Sequence, residues 1–170
     1  MKHIIHIQLI TFITILFISI GCNTTSSESN NPDEVFGYWK LDRIVYETGE
    51  VLRPGDGEIE VPDIVEFYWL GFRDIDVEAE GDNRKQLSGG AYCNWAGGWF
   101  TEKPGRELDV TLICSRAVCG IATEFCSAVT TSYSYEFRRG NLLLSFEHPR
   151  QQGTISGQVI LSTFNPTNGD

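Results

Sequence analysis

Four cysteines, Cys93, Cys114, Cys119 and Cys126, are the residues of this sequence with the most chemistry to offer. Such thiols attack a carbonyl, ligate zinc or oxidise to disulfides, and each use has its own requirement. A catalytic Cys93 needs a base, and His148 is the sole histidine beyond residue 6, with nothing in the sequence to bring it near Cys93. A closed zinc site draws on closely spaced cysteine pairs, and gaps of 20, 4 and 6 residues do not give two of them. An even count suits two disulfides. If Cys119 and Cys126 share one helix, their separation of seven residues puts the Cα atoms roughly 10.5 Å apart, beyond the ~7 Å a disulfide spans. Each then looks to Cys93 or Cys114, and two pairings stay open.

Two more groups have chemical potential. Asp74, Asp76, Glu78 and Glu80 alternate along one face of a strand. Carboxylates in a row are calcium-ligand material, but same-face neighbours lie ~6.7 Å apart along a strand. The intervening Ile75, Val77 and Ala79 instead mark a half-buried strand whose acidic face meets water. Tyr92, Trp95 and Trp99, with Trp69, are the ligand-binding candidates, an aromatic platform for a sugar or peptide, set against the commoner use of such rings as core or rim. Asn94 suits a hydrogen bond to backbone beside Cys93. No nucleophile–base pair, phosphate loop or histidine cluster emerges. The expectation is a non-enzymatic protein with no metal and no cofactor.

The compartment follows from the other end of the chain. Lys2 is followed by an apolar run of about 14 residues, Ile7 to Ile20, and then Gly21-Cys22. That is an export signal, too short for a mature span of roughly 20 residues, and its end resembles a lipoprotein lipobox with Ser19 in the position usually held by Leu. The resemblance implies that Cys22 is lipidated and becomes the first mature residue. The polar NTTSSESNNPDE that follows cannot bury enough surface to order itself and suits a tether. The expected organisation is a signal peptide over 1–21, a tether over 22–34, one β-barrel domain over 35–165 and a tail over 166–170. The protein is expected outside the cytoplasm, lipid-anchored to a bacterial membrane, the outer membrane foremost. The chain carries 13 basic and 23 acidic residues. Loss of Lys2 leaves 12 against 23, a net charge of −11. That argues against nucleic acid as a partner and permits a basic one.

The elements that must position these residues are mostly strands, because hydrophobicity alternates with period two. Trp39, Leu41 and Arg43 alternate with Lys40, Asp42 and Ile44 toward Tyr46. Residues 47–58 suit a loop, Ile64 to Leu70 a strand, and Phe72 to Glu80 another. Ala91 to Phe100 predicts a strand broken at Gly97-Gly98. Leu108, Val110, Leu112 and Cys114 alternate, as do Tyr133, Tyr135 and Phe137. RRGN then turns into Leu142 to Phe146, and Val159 to Phe164 closes the chain. Ile121, Ala122, Phe125, Ala128 and Val129, with Val118, recur at helical spacing, which predicts one short helix over 120–130. The class expected is mainly β: a small antiparallel meander barrel of seven to nine strands with that helix.

Three stretches in this order resemble a known family: Gly37-Tyr38-Trp39-Lys40-Leu41, then Ser88-Gly-Gly-Ala-Tyr-Cys93-Asn94 with Gly98-Trp99-Phe100, then Ser115-Arg116-Ala117-Val118-Cys119. They are similar to the W-x-L start, the G-C-N core and the T-R-M-A-C segment of META/HslJ-like domains, over residues 36–148. Ala91-Tyr92 stand where the family prefers Gly. The resemblance implies Cys93 pairing with Cys119, which leaves Cys114 to Cys126. It also implies a barrel associated with envelope or heat stress and without established catalysis. Gly37-x-Trp39 resembles the lipocalin opening as well, which implies the same barrel class with a tryptophan across its floor and an apolar carrier cavity. A third expectation is an inhibitor of a basic enzyme such as lysozyme.

Overall fold

The computed structural model describes residues 34–56, 68–77, 83–115, 119–150 and 153–164. The export segment, Cys22 and its tether to residue 33, Ile64 to Phe67, Glu78 to Glu80, Arg116-Ala117-Val118 and the tail lie outside them.

The first strand, β1 (Gly37–Tyr46), begins with the expected alternation, Trp39 and Leu41 facing inward. A bulge between Leu41 and Arg43 then inserts one residue and resets the phase, so Ile44 and Tyr46 take the inward positions. Arg43 therefore leaves the face that simple alternation gave it and pairs with Asp42. The expected loop after β1 contains a two-residue strand, β2 (Val51–Leu52), which folds back on Ile44 and Val45.

Where alternation suggested two strands around residue 71, the chain runs as one, β3 (Tyr68–Asp76), with Gly71 inside it. The strand expected from Ala91 to Phe100 is instead divided at Tyr92-Cys93, between β4 (Lys85–Ala91) and β5 (Asn94–Lys103). Gly97-Gly98 lies within β5, where a Cβ on Gly98 would collide with the Thr111 carbonyl of β6 (Glu107–Cys114). That glycine serves close approach of neighbouring strands rather than a turn.

After β6 comes the helix α1 (Ala122–Thr130), followed by β7 (Ser132–Arg138), β8 (Asn141–Arg150) and β9 (Gly153–Thr163). A second bulge, between Ser132 and Ser134, turns Tyr133 to solvent while Tyr135 stays buried. Arg139 and Gly140, both with positive φ, make the two-residue turn into β8.

Every strand from β3 to β9 pairs with its sequence neighbour, all antiparallel, and β9 returns to β1 over Trp39↔Thr163 to Tyr46↔Gly157. The result is an eight-strand closed barrel with β2 as an extra strand. Its interior is filled by large side chains, among them Trp39, Phe72, Phe100 and Leu144, each at most 1% exposed. Phe72 meets Phe100 edge-on at 5.0 Å. Trp39 is pinned by its indole N–H, which donates to the Val35 carbonyl at 2.9 Å.

The helix α1 closes one end of the barrel against β4, β6, β8 and β9. Phe125 points in and meets Tyr68 edge-on at 5.8 Å. The hydroxyls of Thr130, Thr131 and Ser132 donate to the carbonyls of Cys126, Ser127 and Ala128, satisfying the last turn without a glycine cap.

Candidate functional site

The β4–β5 hairpin is built around a two-residue turn whose first residue, Tyr92, sits at φ 54°. This is the position where the resembled family prefers Gly, and a tyrosine is held there at some cost in backbone strain. Cys93 beside it bonds to Cys119 in the segment before α1, with Cα atoms 6.3 Å apart. Cys114 at the end of β6 bonds to Cys126 on α1, at 6.5 Å. Cys119 precedes the helix, so the helical-rise argument about Cys119 and Cys126 does not apply. The two bridges arise because both the hairpin tip and the end of β6 lie against the α1 end of the barrel.

A small polar network locks the same corner. Asn94 is 5% exposed, and its Oδ1 accepts a hydrogen bond from the Ser115 hydroxyl at 2.9 Å. The Ser115 Oγ in turn accepts from the Trp95 backbone N–H at 3.1 Å. Asn94 thus reaches the backbone expected of it through Ser115.

The strand β5 turns its odd-numbered residues outward, and the register of its neighbours assembles a wall in three rows. One row runs Lys40, Trp69, Gly90, Trp95 across β1, β3, β4 and β5. The next runs Tyr38, Gly71, Ser88, Gly97, Ile113. The third runs Arg73, Gln86, Trp99, Thr111. The glycines set the texture. A Cβ on Gly97 would lie 2.5 Å from Cη2 of Trp95, and one on Gly71 would lie 2.8 Å from Cε1 of Tyr38. Both rings therefore lie over bare backbone. Trp95 is 69% exposed and Ile113 61%. Tyr38 and Trp69 contact each other at 5.9 Å, and the Arg84 guanidinium stands 5.2 Å from the Trp99 ring.

Of the residues expected to bind a ligand, Trp95 and Trp99 share this wall with Trp69. Tyr92 does not: the hairpin turn directs it to the α1 end, where it packs against the buried core. Tyr38, Ile113, Lys40 and Arg73 belong to the wall and were missed. The inward position of Trp39 puts Tyr38 and Lys40 outside, but only the pairing between strands sets them beside the tryptophans.

The described part of the acidic row, Asp74 and Asp76 on β3, is engaged by protein. Lys85 Nζ lies 2.6 Å from Asp74 and 2.8 Å from Asp76, and these hydrogen bonds push its pKa up. Ile75, expected to be buried, is 44% exposed: the inward positions of Tyr68, Leu70 and Phe72 give the odd-numbered residues of β3 the outward face. Among the described residues no three His, Cys, Asp or Glu side chains cluster to hold a metal ion.

Two adjoining clefts open at the α1 end. One, of about 330 Å³, is lined by Tyr46, Thr48, Glu50, Leu52 and Glu124. The other, of about 130 Å³, includes Ser127 and His148, whose buried Nδ1 has no hydrogen-bond partner among the described residues.

A scan against protein-family models and a search of curated proteins find no match to this chain.

Proposed function

We propose that this protein is a lipid-anchored, extracytoplasmic binding module of the META/HslJ-like type. The observation that carries the binding part is the outer wall, where indole and aliphatic surface faces solvent on a barrel whose own interior is filled. Contiguous exposed apolar surface on a soluble domain marks an interaction site. The filled interior favours this wall over a lipocalin-like carrier cavity. Two disulfides support an oxidising compartment. They also occupy all four cysteines after Cys22, which supports binding rather than thiol catalysis. The short apolar leader and polar tether support anchoring at Cys22.

Two measurements test the reading. Metabolic labelling with radioactive palmitate should mark the wild-type chain and not Cys22→Ser; equal labelling would refute the anchor. Immobilised protein should retain envelope material that a Trp95→Ala/Trp99→Ala variant does not, and equal retention would refute the wall. A second reading, inhibition of a basic enzyme such as lysozyme, is favoured by Glu50 and Glu124 in the rim cleft and by the net charge of −11 that remains after loss of Lys2. Absence of lysozyme inhibition at micromolar protein removes it.

A further inference from the structure

We propose that the wall formed by β1, β3, β4, β5 and β6 binds an acidic polysaccharide chain. This deepens the binding-module reading and rests on it. Charge is the first argument. The chain carries a net −10, yet none of the three outward rows contains a carboxylate, while Lys40 and Arg73 stand in them and Arg84 stands over Trp99. Among the described residues, the acids that flank these rows along their strands are paired: Asp42 with Arg43, Asp74 and Asp76 with Lys85, and Asp109 with Lys103 at 3.3 Å. The wall is thus a locally cationic face on an anionic protein.

Shape is the second argument. Glycines beneath Trp95 and Tyr38 let each ring lie over the backbone, and Trp95, 69% exposed, keeps its surface open to solvent. Such a ring meets the flat C–H face of a sugar, while Ser88, Gln86 and Thr111 between the rings offer hydrogen bonds to hydroxyls. Trp69 and Trp95 flank Gly90 two strands apart, ~9.6 Å, too far for one sugar ring to cover both, so the ligand is a chain. A polymer as densely charged as nucleic acid meets the negative field of the whole molecule. A chain with acid groups on some of its sugars meets only the local cations.

The exported protein, both disulfides intact, is titrated with hyaluronan, whose carboxylates fall on alternate sugars, and binding is read by tryptophan fluorescence. The expected result is saturable binding that weakens with salt and falls about tenfold in Trp95→Ala. Lys40→Gln/Arg73→Gln, which leaves every aromatic contact in place, should lower affinity about tenfold and flatten the salt dependence. Equal binding of neutral dextran, tighter binding of single-stranded DNA, or a Trp95-dependent dimer in sedimentation would each overturn the proposal. So would no binding of hyaluronan. If hyaluronan fails while envelope material is still retained in a Trp95-dependent way, this ligand class falls and the binding module stands. If both fail, both readings fall.

Discussion

Tyr135 of β7 donates its hydroxyl proton to Glu102 of β5, two strands along the sheet. Burial disfavours the phenolate, and the nearby carboxylate adds to that, so its pKa lies above the ordinary 10.0. A group raised on folding contributes stability fully below its unfolded value, and that contribution is lost as pH climbs toward the folded value. Melting temperature should therefore hold up to about pH 10 and fall beyond it, and Tyr135→Phe should remove that part of the fall. An unchanged alkaline profile in the variant would show that Tyr135 does not carry it. Gly98 makes a sharper prediction at the same scale. Its missing side chain admits the Thr111 carbonyl, so Gly98→Ala must push β5 and β6 apart, at ~3 kcal/mol or more in urea unfolding. Gly105→Ala, with open space around its Cβ, tests the contrast: it meets only the strain of its positive φ, about 1 kcal/mol.

At the scale of elements, the disulfides fasten α1 and its approach to the sheet. Their sequence separations are 26 for Cys93–Cys119 and 12 for Cys114–Cys126. Loop-closure entropy assigns these about 3.5 and about 3 kcal/mol. Serine pairs at each bridge, compared by urea denaturation, should lose stability in that order, and the reverse order would mean that contacts on α1 outweigh loop length. The strands whose inward residues alternate without interruption, such as β6, were legible from the sequence, as were the helix and the Arg139-Gly140 hairpin. What was not legible came from two sources. The bulges in β1 and β7 shift side chains between faces without altering composition, which is why Arg43 and Tyr133 were placed on the wrong side. The β4–β5 turn carries no Gly, Asn or Asp at its positive-φ position, so the glycines three residues into β5 drew the break toward themselves. The same slip left Tyr92 among the expected ligand contacts. Trp95 and Trp99 were found because tryptophans stand out in any sequence. Tyr38 and Ile113 join them only through pairing between strands, which periodicity within one strand does not reveal.

At the scale of the molecule, the barrel is closed and its interior occupied by side chains, which is why the proposed binding is assigned to the outer wall. Apolar fluorescent probes such as N-phenyl-1-naphthylamine are expected to show no saturable binding inside. A bright, stoichiometric signal that survives Trp95→Ala would contradict this. The pairing around the ring is uneven. Between β8 and β9 it extends from Asn141↔Ser162 to Arg150↔Gly153, whereas β6 and β7 share the single pair Glu107↔Ser134 and one further hydrogen bond, from the Tyr135 N–H to the Arg106 carbonyl. The connection between these two strands is the one that carries α1, and the helix rather than a ladder fills the upper part of the gap.

Such a ring has a preferred place to come apart. Amide hydrogens of Val110 to Cys114 and of β7 should exchange with solvent through local opening well before those of the β8–β9 hairpin. Cys114–Cys126 straddles that gap, tying the β6 side to the helix that fills it. Reduction of this one bridge should accelerate exchange along β6 and β7 while leaving β8 and β9 slow. The barrel would then unzip from a set position, and the oxidation state of one cysteine pair would decide how often.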